Sequence, residues 1–219
     1  NFNRPDNEVD VVEHYMLRLF PNSPLLEYEG VIHEQLTIND ESVPFERLAS
    51  PDVLLLHYGY TGEIMTEKDK HARNLALVQR SIAEEPTNPF HYFNLGLTYR
   101  VNQEEEKAKE ALLKCIELCN KDHPATYMTA TYAYLSAVHL ALEEYEQALE
   151  VSKDAEDFCK DSPDFWVNYG TAYCGIGEYE KSIECYKKAM ALRSKVFTAL
   201  VADKGSTTWK PFAGIGNTY

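Results

Sequence analysis

The chain has 219 residues, 44% hydrophobic and 26% charged, which is the balance of a folded protein and excludes disorder over its whole length. Its net charge of −14 repels phosphate backbones and anionic membrane surfaces. The densest basic stretch, Lys187, Lys188, Arg193 and Lys195, is sparse and helically spaced, so the expected partners include no nucleic acid. The longest unbroken aliphatic run, Val53 to Leu56, is far short of the roughly 20 residues that cross a bilayer. No basic, apolar, small-residue leader pattern opens the chain. The cysteines (Cys115, Cys119, Cys159, Cys174 and Cys185) are odd in number and include no Cys-x-x-Cys pair, as expected of reduced thiols in a cytoplasmic protein. The first residues lack Met and the last break off inside a repeat, so the chain reads as a fragment of something longer.

Residues 1–62 read as a small β-rich segment. His14–Phe20, Leu26–His33 and Asp52–Tyr58 each show the period-two alternation of a strand. Pro21–Pro24 reads as a turn and Asn39–Pro44 as a loop. Three strands are too few to bury a core of their own. From Thr66 the period becomes helical. Thr66 and Asp69 resemble a capping box, Leu75, Val78 and Ile82 share a face, and Pro86 ends the helix. Residues 63–88 thus read as a connecting helix that caps the helices after it. Asn88-Pro89 and Ser162-Pro163 each put a polar N-cap before a proline at the first helical position.

Residues 89–219 repeat. Tyr92-x2-Leu95-Gly96-x2-Tyr99 is followed by Ala108 and Leu112. Trp166-x2-Tyr169-Gly170-x2-Tyr173 is followed by Ser182, Tyr186 and Ala189. Between them, Tyr132-x2-Leu135-Ser136-x2-His139 is followed by Ala148. The later pair is spaced 34 residues apart and the earlier pair 40, with the extra residues near His123-Pro124. This is the pattern of the tetratricopeptide repeat, a helix–turn–helix of about 34 residues. The units run over about 89–122, 129–162 and 163–196, with a partial fourth, 209–219, carrying Trp209, Phe212, Ile215, Gly216 and Tyr219. The expected fold is mainly α, a helical superhelix in which small residues such as Gly96, Gly170 and Ala108 let helices approach.

Such arrays hold a peptide or partner protein on the face of their first helices. The candidate groove residues are Phe93, Asn94, Leu97, Arg100 and Asn168. Asn94 and Asn168 share a repeat position, and a side-chain amide suits an extended backbone. They resemble the asparagine ladder of O-GlcNAc transferases, although Tyr134 and Gly214 break the ladder. The alternative is that both amides bridge helices within the array. Arg100 is the only basic residue placed for a carboxylate clamp.

Complete catalytic motifs are absent. His33-Glu34-Gln35-Leu36 lacks the second His of a zinc-protease motif. Cys115 and Cys119 lie one turn apart without further ligands nearby, His57 ends an apolar strand, and Glu104-Glu105-Glu106 reads as a solvated helix start. The order of segments is more specific. Met16-Leu-Arg18-Leu-Phe20, Tyr28-Glu-Gly30-Val-Ile-His33-Glu34, Leu56-His57-Tyr-Gly-Tyr60, Lys68-Asp-Lys70 and Arg73-Asn74-Leu75 ahead of the repeats resemble bacterial family-2 glycosyltransferases carrying a tetratricopeptide array. The resemblance implies that residues 1–62 are the last strands of a GT-A α/β catalytic domain. It further implies an intact parent that transfers a sugar from a nucleotide-sugar donor with Mg²⁺ or Mn²⁺, His33 helping to hold the metal and Glu34 lying behind it. The chain has no Asp-x-Asp, so the fragment alone is expected to be inactive and to bind no metal. The array would recruit an acceptor or partner, or mediate self-association. The alternative function is a non-enzymatic adaptor for protein–protein interaction.

Overall fold

The computed structural model describes residues 12–13, 22–32, 35–38, 70–119, 125, 127–192 and 202–218. The expected strands over His14–Phe20 and Asp52–Tyr58, the Thr66 cap, and His33 and Glu34 lie outside these residues. The chain divides into two compact units, residues 15–88 and residues 1–14 with 89–219. Among the described residues it is mainly helical.

In the first unit, β2 (Leu26–Glu29) pairs antiparallel with β3 (Gln35–Ile38), in register from Leu26↔Ile38 to Glu29↔Gln35. Leu26 N–H donates to Ser23 O at 3.1 Å, closing the turn read over Pro21–Pro24. The strand expected to reach His33 stops at Glu29, because Gly30 takes φ 107 and leaves the extended region. Helix α1 (Lys70–Glu84) buries Val78 and Ser81, and Glu85 N–H continues its bonding to Ser81 O before Pro86.

The second unit is built from paired helices: α2 (Pro89–Val101) with α3 (Glu105–Leu118), α4 (Met128–Ala141) with α5 (Tyr145–Cys159), and α6 (Pro163–Gly175) with α7 (Tyr179–Ala191). A further helix, α8 (Trp209–Asn217), comes after them. Helices α2, α4, α6 and α8 are the A helices of the repeat, and α3, α5 and α7 the B helices. Pro89 and Pro163 open their helices as read, and Ser162 Oγ accepts from Phe165 N–H at 3.3 Å.

The A-to-B turns are one device used three times. Gln103, Glu143 and Gly177 hold φ of 61, 59 and 81. The next amide bonds back to the last A turn in each: Glu104 N–H to Tyr99 O, Glu144 N–H to His139 O and Glu178 N–H to Tyr173 O, at 2.9, 2.9 and 3.0 Å. This left-handed ending satisfies carbonyls the helix cannot. Only Gly177 marks it in the sequence.

Two apolar clusters fill the row. One joins Phe93, Leu112, Cys115, Met128, Leu135 and Val138, and the other joins Ala155, Phe165, Trp166, Tyr169, Ala172 and Tyr186. A Cβ on Gly170 would stand 2.9 Å from the Tyr186 ring and 3.1 Å from Ser182 O, so a larger residue cannot hold α6 this close to α7. Ser182 Oγ–H bonds Gly170 O at 2.7 Å across the same contact.

The third and fourth units are spaced wider than the repeat, 46 residues from Trp166 to Phe212. Part of the extra length forms β4 (Ala202–Asp203), which pairs antiparallel with β1 (Val12–Glu13), and a 3-10 turn over Lys204–Thr207. Ser206 is buried there and its hydroxyl bonds Asp164 near the start of α6.

Candidate interaction surface

The A and B helices differ in composition before they differ in position. Across α2, α4 and α6 the charged residues are Arg100 and Asp164, and α4 has none. Seven of 14 residues are charged in α3, six of 15 in α5 and five of 13 in α7. Successive A helices lie against one another, whereas each B helix packs mainly on the A helices beside it. Successive A helices meet more closely than successive B helices, which makes the A layer's open face the candidate docking face.

The floor of that face is α4. Ala130, Ala133, Ala137 and Ala141 succeed one another at helical spacing, with Ala133 buried, Ala130 and Ala137 half-buried and Ala141 exposed. Toward α2 the wall is aromatic. Phe93 packs on Tyr127 and Tyr134 at ring distances of 5.3 and 6.3 Å, and Phe90 lies 5.2 Å from Tyr127. The Arg100 guanidinium stands over the Tyr134 ring at 5.4 Å. Its Nε is 3.8 Å from Glu105 Oε2, an ion pair too long for a hydrogen bond, and neither atom has a hydrogen-bond partner.

Of the residues read as groove-forming, Leu97 and Arg100 are half-buried, while Phe93 and Asn94 are buried, Asn94 at 4% exposure. Asn168 Nδ2 donates to Ala133 O at 2.8 Å, tying α6 to α4. That is the bridging role set beside the ladder role in the sequence. Two of the layer's threonines are internally engaged as well: Thr98 Oγ1–H bonds Asn94 O at 2.8 Å, and Thr171 Oγ1–H bonds Val167 O at 2.9 Å. Sequence reasoning passed over the alanine floor, because alanines at this spacing look like any helix interior.

Elsewhere the polar chemistry is structural. Lys109 on α3 bonds Glu144 at 2.9 Å, and Glu144 meets His139 Nδ1 at 2.6 Å, joining the first and second repeats. Lys109, then His139, hold the Glu144 carboxyl below its ordinary range. Burial pushes the thiols of Cys115, Cys159 and Cys185 up to about 11, 12 and 12, so they remain protonated and unreactive. A cleft of about 240 Å³ between α5, α6 and α7 exposes edges of a stacked Trp166–Tyr169–Tyr173 ladder. Lys188 covers the Trp166 ring at 3.9 Å and pairs with Glu156, and Lys181 stands over the Tyr173 ring at 5.6 Å and pairs with Glu178. Among the described residues no group of three His, Cys, Asp or Glu side chains could hold a metal ion, and no helix is long and apolar enough to cross a membrane.

Paired helices stacked in a row with small residues at each crossing define a helical-repeat protein. The family model of the tetratricopeptide repeat matches residues 92–122 and 163–195, within the first and third repeats. No curated protein sequence matches the chain. Among solved structures, the crystal structure of MamA is 18% identical with a TM-score of 0.52, the alignment covering 75% of this chain and 94% of that one. A second MamA crystal structure is 20% identical with a TM-score of 0.56, covering 74% and 79%. The hetero-tetramer Cut9–Hcn1 of the APC/C has a chain 15% identical with a TM-score of 0.55, covering 71% of this chain and 28% of that one. At such identities the likeness is one of fold.

Proposed function

We propose that the repeat array is a protein–protein interaction module whose A layer is the docking face. One observation carries this reading: a chain of net charge −14 keeps charge off α2, α4 and α6 almost entirely, while α3, α5 and α7 hold it. A surface meant only for water has no reason to exclude charge, whereas a surface that a partner covers does. The presence of tetratricopeptide repeats and the likeness to a chain of the Cut9–Hcn1 hetero-tetramer support it. A cytoplasmic setting and self-association both remain compatible with such a module.

The test is binding by the whole chain against its Ala141→Glu variant, which puts a charge on the docking face at an exposed position. Proteins retained by the wild type and lost by the variant, with melting unchanged, support the reading. Equal retention by both would sink it.

A second reading is favoured by the ordered segments around Arg18, His33 and His57. In it the array serves a glycosyltransferase that uses a nucleotide-sugar donor and a divalent metal, and holds the acceptor. Its support is the sequence resemblance alone, and His33 and Glu34 lie outside the described residues. Metal-dependent turnover of nucleotide sugars by a protein carrying these segments, cut by His33→Ala, would support it. Turnover indifferent to that change removes His33 from the metal site.

A further inference from the structure

An extended peptide and a helix make different demands on the surface that takes them. An extended backbone brings unpaired N–H and C=O groups at every residue, and each buried without a partner is costly. Repeat grooves that take extended chains must therefore offer side-chain donors and acceptors along the floor. On the described A layer the side chains of Asn94, Thr98, Asn168 and Thr171 are buried or already engaged. Asn168 gives its amide to Ala133 O, Asn94 is buried at 4% exposure, and the Thr98 and Thr171 hydroxyls donate to carbonyls of their own helices. The floor itself is Ala130, Ala133, Ala137 and Ala141.

A helix satisfies its own backbone internally and asks only for apolar contact and close approach. Alanines at helical spacing supply both, since small side chains let two helix axes approach to about 8 Å. At the rim, Arg100 carries the only Arg or Lys charge of α2, α4 and α6. Its Nε is buried beside Glu105 at 3.8 Å, while 29% of the side chain stays exposed. That charge is complementary to an acidic side chain arriving with the ligand.

We infer that the A layer takes an amphipathic α-helix of a partner protein, its apolar face on the Ala130–Ala141 floor and one acidic side chain at Arg100. The inference rests on the interaction reading above and names the class of partner. Contact along α4, about 20 Å long, sets the length of the docked segment at roughly four turns.

The experiment presents the whole chain with two displayed peptide libraries of the same length and composition. One is locked into helix by side-chain lactams, and the other is held extended by regularly spaced prolines. The helical library is expected to yield binders with apolar residues at i, i+3, i+4 and i+7 and a single Asp or Glu. A synthetic copy of the best binder should lose binding to Ala137→Arg and weaken about tenfold against Arg100→Ala, with both variants melting as the wild type does. Extended binders that Ala137→Arg blocks would overturn the helix and leave the docking face standing. Helical binders indifferent to Arg100→Ala would overturn the acidic contact. Binders from neither library, or binders indifferent to Ala137→Arg, would overturn the inference and the docking face together.

Discussion

Helices α4 and α5 sit side by side in one repeat and are close in length, yet they obey different rules. Helix α4 has no charged residue, and its buried positions run around much of its circumference, from Met128 and Thr131 through Ala133, Leu135 and Val138. Helix α5 alternates buried Ala148, Leu149, Ser152 and Ala155 with exposed Glu146, Glu150, Asp154 and Asp157. The B helix is an ordinary amphipathic surface helix, apolar on one stripe. The A helix has neighbours on both flanks and an open face that is still apolar. The difference teaches that this chain keeps its charge on one layer and leaves the other apolar.

The comparison breaks if the A layer is not the energetic spine. Phe165 on α6 is fully buried and packs against Trp166 and Tyr169 at ring distances of 5.2 and 5.7 Å. Phe165→Ala is expected to destabilise by about 3–5 kcal/mol, read from urea unfolding. A loss under about 1 kcal/mol would mean the row tolerates a cavity at its centre.

A pair of glycines sharpens the comparison next. Gly170 and Gly216 occupy the same repeat position, but a Cβ at Gly216 meets nothing within 4 Å. Gly170→Ala should lose about 1–3 kcal/mol through overpacking on Tyr186 and Ser182 O. Gly216→Ala should gain up to about 1 kcal/mol from helix propensity alone. Equal effects at the two positions would show that helix A-to-B approach does not depend on glycine.

How much of this could be read beforehand obeys the same division. The units were legible because Gly96, Gly170, Tyr99, Tyr173 and Ala148 are selected by close packing, which leaves few residue types possible. The Ser162-Pro163 start was legible for the same reason. The role of Asn168 was not, because an amide near a glycine serves a ligand or a neighbouring helix equally well, and only the 2.8 Å bond to Ala133 O separates the two. The end of β2 at Glu29 was missed because Gly30 sits inside an apolar alternation that continues past it. The shared left-handed turn was hidden too. Gln103 and Glu143 carry no sign of it, and the hydrogen bonds of the turn hold them there.

That turn yields a smaller prediction. A non-glycine residue at φ near 60° is strained by its Cβ, so Glu143→Gly is expected to stabilise by about 0.5–1 kcal/mol. Gly177→Ala is expected to destabilise by a similar amount, since φ is 81 there. Thermal melts of the two variants should move in opposite directions. Movement in the same direction would separate the two turns.

The smallest effect concerns a charge network that links the two kinds of helix. Glu144 stands before α5, bonded by Lys109 from α3 and by His139 at the end of α4. Its folded pKa lies below the unfolded value of about 4.3, chiefly through the Lys109 hydrogen bond and then the His139 one. The unfolded chain therefore binds the proton first as pH falls. The stability Glu144 contributes is complete above the unfolded pKa and is lost as pH drops through the folded one. The side chain is 29% exposed, so solvent screening holds the effect to about 1 kcal/mol or less. Melting of the wild type against Glu144→Gln should show a constant gap above about pH 5 that closes through the acid range. Added salt should narrow the gap, because part of it is the Lys109 attraction. A gap unchanged down to about pH 3 would show that the carboxylate charge is not what joins the first repeat to the second.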